Sequence, residues 1–498
     1  MDTLQSLLTG FSVALKPDNL LFCFLGTLMG TLVGVLPGIG PLGAMSILLP
    51  LTFKMSAEGA IIMLAGIYYG VAYGGSTTSI LMNVPGEVST VVTCLDGHQM
   101  AKQGRAGAAL GIAAFGSFIA GTLGIVGLMI FAAPLASFAL AFGPHEYAAL
   151  LILGFTFVAS LSHGSLIRGV MMAFVGLILG NIGIDMETAV PRFTFGSVHL
   201  YNGLGIAPVA LGFFGIAEVL DNLERTEAVS FVKTKIKNLF PSKEDWIQSK
   251  WALVRGTLIG FFLGILPGGG PVLASFIAYG VEKRVSKEPE RFGRGAIEGV
   301  ASPESANNSA SSSAFIPMLT LGIPPTASMA VLFGAFIIQG LVPGPLLLKN
   351  HPDLFCGLIT SMYIGNVMLL VLNLPLIPIW LQVLRIPGRY LYPLILLFCL
   401  IGAYSINNDV FDVMLMVIFG VVGYFFRKFD YDASPLILAF VLGTMFDQNL
   451  RQALLISDGS FLPFITRPIC AVTLSLAVIV LVFSGMKSLG LSVSSRKR

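Results

Sequence analysis

Residues 26–41 read GTLMGTLVGVLPGIGP, and residues 256–271 read GTLIGFFLGILPGGGP. Ten of the sixteen positions are identical, at a constant offset of 230 residues, where biased composition alone would give about one or two. A Pro-Gly-x-Gly-Pro core inside an apolar run breaks a helix and restarts it. A helix ending at Leu36 leaves the carbonyls of Gly34, Val35 and Leu36 unpaired, Pro37 cannot continue the ladder, and Gly38 and Gly40 permit the reversal. Pro41 then suits the first helical position, where its missing N–H costs nothing. Gly268, Gly269, Gly270 and Pro271 repeat the device. The unpaired N–H groups of Leu42, Gly43 and Ala44, and of Val272, Leu273 and Ala274, carry the positive end of a helix dipole and suit a carboxylate. The orphan carbonyls suit a cation. For one isolated break, a Pro/Gly kink made for packing is the alternative reading. Duplication favours a functional pair.

Composition sets the class. Of 498 residues, 55% are hydrophobic and 11% charged, and the mean hydropathy is +0.86, far from the roughly 25% charged residues of a soluble domain. The expected fold is an all-α polytopic membrane protein, because the apolar runs are continuous rather than alternating. Runs near 20–53, 58–82, 107–140, 146–161, 165–182, 203–220, 252–280, 310–347, 354–384, 390–405, 410–426, 432–446 and 468–486 give about 11–13 helical passes, counting broken or re-entrant ones. A formal charge of +3 and the lack of a basic arm exclude a nucleic-acid binder. The five cysteines are single and unpatterned, so neither a disulfide framework nor a zinc site is expected. The N-terminal MDTLQSLLTGFSVALKPDN lacks a basic first region and a small-residue cleavage site, so no signal peptide is expected.

The one long polar stretch, residues 221–250, divides the chain into halves 1–220 and 251–498. It reads as a cytoplasmic linker, with Phe231, Ile236 and Phe240 at the membrane surface. Seven Lys or Arg lie in 221–255 and five more in 281–294, so both flanks of the second motif are expected in the cytoplasm. The second motif is then the tip of a re-entrant hairpin. The weaker flanks of the first, Lys16 and Asp18 before it and Lys54 and Glu58 after it, suit the opposite side. Two such copies would form two inverted-topology repeats.

Polar runs accompany the breaks. YGVAYGGSTTSILMNVPGE (69–87) and EGVASPESANNSASSSAFIPMLTLGIPPT (298–326) put hydroxyls and amides at membrane depth, where they pack helices or line a solute cavity. Ser311, Ser312 and Ser313 read as packing. Ser76, Thr77, Thr78, Asn83, Asn307 and Asn308 read as cavity lining, since an amide costs more to bury idle than a hydroxyl does. Glu304 is the nearest ionisable group and a candidate for ion coupling, with an interfacial carboxylate as the alternative. Asp447 and Arg451 read as a helix-end pair. His98, His145, His163 and His199 show no metal-type clustering.

The duplicated Leu-Pro-Gly motifs, YGGSTT followed by NVPG, SANNSA followed by LGIPP, and LRQALLISDGSFLPFITRPI at 450–469 together resemble the large membrane subunit of the tripartite tricarboxylate transporters over essentially the whole chain. The resemblance implies a multi-pass protein of the bacterial inner (cytoplasmic) membrane that forms the translocation path. It also implies a small four-helix membrane subunit and a periplasmic solute-binding protein as partners, and di- or tricarboxylate substrates such as citrate. Uptake would be driven by a sodium or proton gradient, with no other cofactor. No Walker motif is present. An intramembrane enzyme lacks a G-x-S-x-G elbow here, and an ion channel would need a filter repeated about a pore axis. A non-enzymatic transporter is therefore expected.

Overall fold

A computed structural model describes residues 3–36, 39–161, 165–185, 187–224, 239–383 and 388–488. Pro37, Gly38, His163, Phe231 and Ile236 lie outside them. The fold is helical, with one two-residue strand pair, Gly183–Ile184 against Pro191–Arg192. Among the described residues eight helices are long and apolar enough to cross a membrane, including Pro17–Val35, Ala57–Met82, Ala106–Ala139 and Pro468–Met486. Shorter apolar helices, Gly40–Thr52, Leu166–Gly180 and Ala327–Ile338, supply partial passes. Outward faces carry Phe174, Val478 and Phe483 exposed, as lipid contact requires.

The glycines of the repeated motif set the packing. A Cβ on Gly26, Gly30 or Gly34 would strike the backbone of Met63, Ile67 or Val71, and one on Gly66, Gly70 or Gly74 would strike the first helix in return. Two backbones in direct contact at every turn is a small-residue interface of membrane type. Because partners ascend together, Pro17–Val35 and Ala57–Met82 run parallel. The chain must therefore turn back between them, and Gly40–Leu48 with Leu49–Thr52 is that returning arm. Gly256, Gly260 and Gly264 meet Ser302, Ala306 and Ala310 in the same register. Lys243–Ile265 and Glu298–Ser313 are thus parallel as well, with Gly270–Val285 returning between them.

The second breaks also correspond. Ala57–Met82 is capped by Asn83 in the left-handed conformation (φ 58°) and Phe315–Leu321 by Gly322 (φ 71°). Four residues on, Glu87 (φ −142°, ψ 164°) and Thr326 (φ −137°, ψ 163°) are the N-caps of the next helices. Each hairpin tip rests on its own half's second break. Gly86 packs against the Gly34 carbonyl, and the Gly268 N–H donates to the Pro325 carbonyl at 2.7 Å. The two central helices meet with opposite sense: Tyr68 packs edge-on against Phe315, ring centroids 6.1 Å apart, while Ser76, further along, bonds Glu304, which precedes Phe315.

Two expectations for the tips are corrected in detail. The restarted helices begin one residue early, at Gly40 (φ +60°) and Gly270 (φ +51°), with Pro41 and Pro271 second. The left-handed glycine closes the turn, so proline follows it. The orphan carbonyls at the first tip are also partly satisfied: Thr78 Oγ1 donates to the Val35 carbonyl at 2.9 Å.

Both ends of the bundle carry ion pairs. At one end Arg105 pairs with Asp245, Arg255 with Glu282 (2.6 Å), Arg427 with Glu218 and Lys428 with Glu224 (3.0 Å). Phe240 is exposed there, its ring against Phe115. At the other end the loop after Leu166–Gly180 is tied down by Arg192 to Asp185 and to Asp447 (2.9 Å), and by Arg451 to Asp447 (2.9 Å) and Asp185 (3.3 Å). The Asp447–Arg451 pair is thus part of a four-member network. The Thr188 hydroxyl, then the Glu187 amide and Arg192, hold the Asp185 carboxyl down at about 2. A depressed carboxyl contributes its full stability above the unfolded value near 4 and loses it as pH falls toward 2. Thermal unfolding of Asp185→Asn should therefore differ from wild type at neutral pH, with the gap closing only below about pH 4.

Candidate functional site

The polar cluster is built on the two central helices. Ala57–Met82 is buried along its whole length and carries Tyr68, Tyr73, Ser76, Thr77 and Thr78 inward. Glu298–Ser313 is also buried throughout despite the sequence EGVASPESANNSASSS. Back-bonding makes this possible for much of the run: Ser311 donates to the Asn307 carbonyl (3.0 Å), Ser312 to Asn308 (3.1 Å) and Asn308 Nδ2 to Glu304 (3.0 Å), while Ser309 donates to the Thr257 carbonyl of the neighbouring helix (2.8 Å) and Asn307 Oδ1 and Ser305 Oγ stay unpaired. What remains at the centre is acidic. Glu304 Oε2 accepts from Ser76 Oγ at 2.6 Å and Oε1 from Thr93 Oγ1 at 2.5 Å. Glu87 Oε1 accepts from Asn307 Nδ2 at 3.0 Å and from the Ser89 hydroxyl.

These two carboxylates differ from the other buried acids except Asp412, which lies apart on Val410–Lys428 and accepts the Asn407 amide at 2.8 Å. Glu146, Glu218, Asp245 and Glu282 each face an arginine. Asp96 accepts three backbone N–H groups, from Gly293, Gly295 and Ala296 at 2.8–2.9 Å, and the Tyr279 hydroxyl at 2.9 Å. Glu87 and Glu304 have only hydroxyl and amide partners, and among the described residues no lysine or arginine pairs with either. A buried carboxylate without a counter-charge is held by protonation or by a bound cation.

A narrow void of ≈ 10 Å³ lies beside Ser76, the partner of Glu304, lined in part by Tyr73, Thr77, Ser117 and Asn373. It has room for about one water. A larger cavity of ≈ 320 Å³ lies apart, between Thr3–Ala14 and Pro352–Asn373, with mostly apolar walls and Lys349. It lacks convergent polar groups.

The residues singled out in the sequence fall into three sets. Ser76, Thr77, Asn307 and Asn308 join the cluster, although Asn308 Nδ2 is already occupied by Ser117 Oγ (2.7 Å). Gly34, Val35, Leu36, Gly40, Pro41, Leu42, Gly43 and, in the second half, Gly268, Gly269, Gly270, Pro271 and Val272 form the hairpin tips, and Thr78 on Ala57–Met82 bonds the first of them through the Val35 carbonyl. Asn83 does not line the cluster. It is exposed and serves as the left-handed cap, where asparagine is tolerated better than most residues. Glu87, Thr93 and Tyr68 escaped the sequence reading. Glu87 stands four residues after the Asn83 cap, as Thr326 does after Gly322, and that spacing was its one available signal.

A membrane helix bundle with two broken hairpins and buried acids without a counter-charge fits a multi-pass membrane transporter. The chain belongs to the tripartite tricarboxylate transporter TctA family, whose description matches residues 20–438. It is 49% identical over 489 residues to an uncharacterized 52.8 kDa protein in the TAR-I ttuC' 3'region of Agrobacterium vitis, covering 98% of this chain and 97% of that one. It is 50% identical over 230 residues to an uncharacterized protein in the TAR-II ttuC' 3'region of the same organism, covering 46% of this chain and 95% of the relative. No solved structure matches.

Proposed function

We propose that this chain is the translocating subunit of a binding-protein-dependent secondary transporter that takes up di- or tricarboxylates of citrate type, driven by a sodium or proton gradient. The observation that carries the reading is the pair of opposed hairpins enclosing Glu304, a carboxylate with no fixed counter-charge. Such a group binds its neutralising cation only when the path is open to one side, and that requirement couples ion to solute. The half-helices from Gly40 and Gly270 offer the substrate carboxylates their N-terminal dipoles, and the Gly34–Leu36 carbonyls remain secondary cation candidates.

The two halves act as an inverted-topology repeat in this reading, with residues 221–250 as the cytoplasmic linker. The arginine- and lysine-bearing end, from Arg105 to Lys428, is cytoplasmic by the positive-inside rule. The system is completed in the bacterial inner membrane by a small four-helix membrane subunit and a periplasmic binding protein. Family membership supports a three-part system. Uptake of labelled carboxylates into proteoliposomes holding both membrane subunits and the binding protein tests the reading. Saturable uptake that collapses with one ion gradient supports it, and uptake indifferent to every gradient refutes it.

Gly270→Val tests the tips in the same assay. At φ +51° a branched side chain is strained and its Cβ would press on the Thr326 methyl group, so uptake should fall at least about tenfold while membrane insertion persists. Arg451→Gln, which leaves Arg192 on both acids, should transport nearly normally.

A further inference from the structure

We propose that Glu87, Asn307 and Tyr68 form an alkali-cation site, distinct from Glu304, which gives the transporter a second coupling ion. The inference rests on the uptake reading above and names an ion position that it lacks. Asn307 is 1% exposed and aims its amide at Glu87, donating through Nδ2 to Oε1 at 3.0 Å. Its Oδ1 is buried with no hydrogen-bond partner. Tyr68 lies on the facing central helix, is 3% exposed, packs edge-on against Phe315, and has its hydroxyl buried with no hydrogen-bond partner. Unpaired buried oxygens beside a carboxylate are an acceptor-rich set with nothing to accept. A hard monovalent cation answers all of them, through the carboxylate, the amide oxygen and the phenol oxygen. A proton on Glu87 would supply a single O–H donor, enough for one of these oxygens and not for both.

The surroundings agree in charge. Glu304 lies three residues before Asn307 on the same helix, one turn from the amide that holds Glu87. No lysine or arginine among the described residues pairs with Glu87. The position is also the one at which the halves meet, since Glu87 caps the helix after the first half's second break while Asn307 belongs to the second half's central helix. A cation here holds the halves together, and its release permits them to part. Thr326, at the corresponding break of the second half, carries no charge, so the pair has one such site.

The test is thermal unfolding of the purified full-length chain in detergent, in sodium chloride against choline chloride at matched ionic strength and at several pH values. Sodium should raise the melting temperature of the wild type, since a ligand that binds only the folded state stabilises it. Glu87→Gln and Asn307→Ala should each lose most of that shift, and Glu304→Gln should retain at least half. Tyr68→Phe, which keeps the ring in its slot and removes one oxygen, should reduce the shift and keeps the test readable should Glu87→Gln not fold. An undiminished sodium shift in these variants, no sodium shift in the wild type, or a shift that follows pH and ignores sodium would each overturn the site. Because the readout is binding, its failure leaves the uptake reading standing, whereas gradient-independent uptake would remove that reading with this site intact.

Discussion

Glu304→Gln is expected to lose gradient-driven accumulation, by about a hundredfold or more, while still reaching the membrane folded. The amide keeps the shape of the acid and can still accept the Ser76 hydroxyl on its oxygen. Thr93 has only to rotate its own hydroxyl to receive the new N–H. Packing is thus conserved, while the charge that must be neutralised in each cycle is gone. Steady-state accumulation should collapse towards equilibration, and substrate counterflow, which needs no net ion movement, should survive in part. Ser76→Ala and Thr93→Ala remove one hydrogen bond each to a charged group, about 1.5–3 kcal/mol, and should shift the ion dependence rather than abolish it. Normal accumulation by Glu304→Gln would mean that the carboxylate is structural.

Gly260→Val should be the most damaging substitution in the helix pairs. Its Cβ would overlap the backbone carbonyl of Ala306, on a helix that cannot withdraw without losing the contacts of Gly256 with Ser302 and of Gly264 with Ala310. We expect a loss of more than about 3 kcal/mol, read as absent monodisperse protein or a sharply lowered melting temperature in detergent. Gly280→Ala is the matched control: it lies in the returning arm Gly270–Val285 with open space around the new methyl group. It should be neutral or stabilising by roughly 0.4–1 kcal/mol. Equal tolerance at both positions would contradict the close backbone approach.

The hairpins were legible because their signal is chemical and repeated. Proline and glycine restrict backbone geometry wherever they stand, and a 16-residue duplication survives biased composition. The packing role of Gly26, Gly30 and Gly34 was not read from their spacing, and that spacing alone names no partner, since a small-residue face accepts any helix that offers a matching surface. Glu304 was found because it lies inside a polar run. Glu87 was passed over because it ends one, beside Pro85 and Gly86, where a carboxylate reads as part of a turn. Thr93 carried no signal, because a lone threonine in VVTCLDGHQ acquires meaning only when folding brings it to Glu304. Ser76, Asn307 and Asn308 were read as lining for a solute cavity, and folding brings them to Glu304, Glu87 and Ser117, whereas Asn83 was assigned by residue type when its backbone position, the end of a helix, decided its role.

The opposed sense of the two hairpins bears the whole account and can be measured directly. All five native cysteines are buried, so single cysteines at Met55, between the first returning arm and Ala57–Met82, and at Ser286, just after Gly270–Val285, give clean labelling sites. In intact cells an impermeant thiol reagent should label Met55→Cys, and Ser286→Cys only after the cytoplasmic face is exposed. Labelling of both from the same side would contradict the inverted arrangement and, with it, a path opened alternately between the two hairpins.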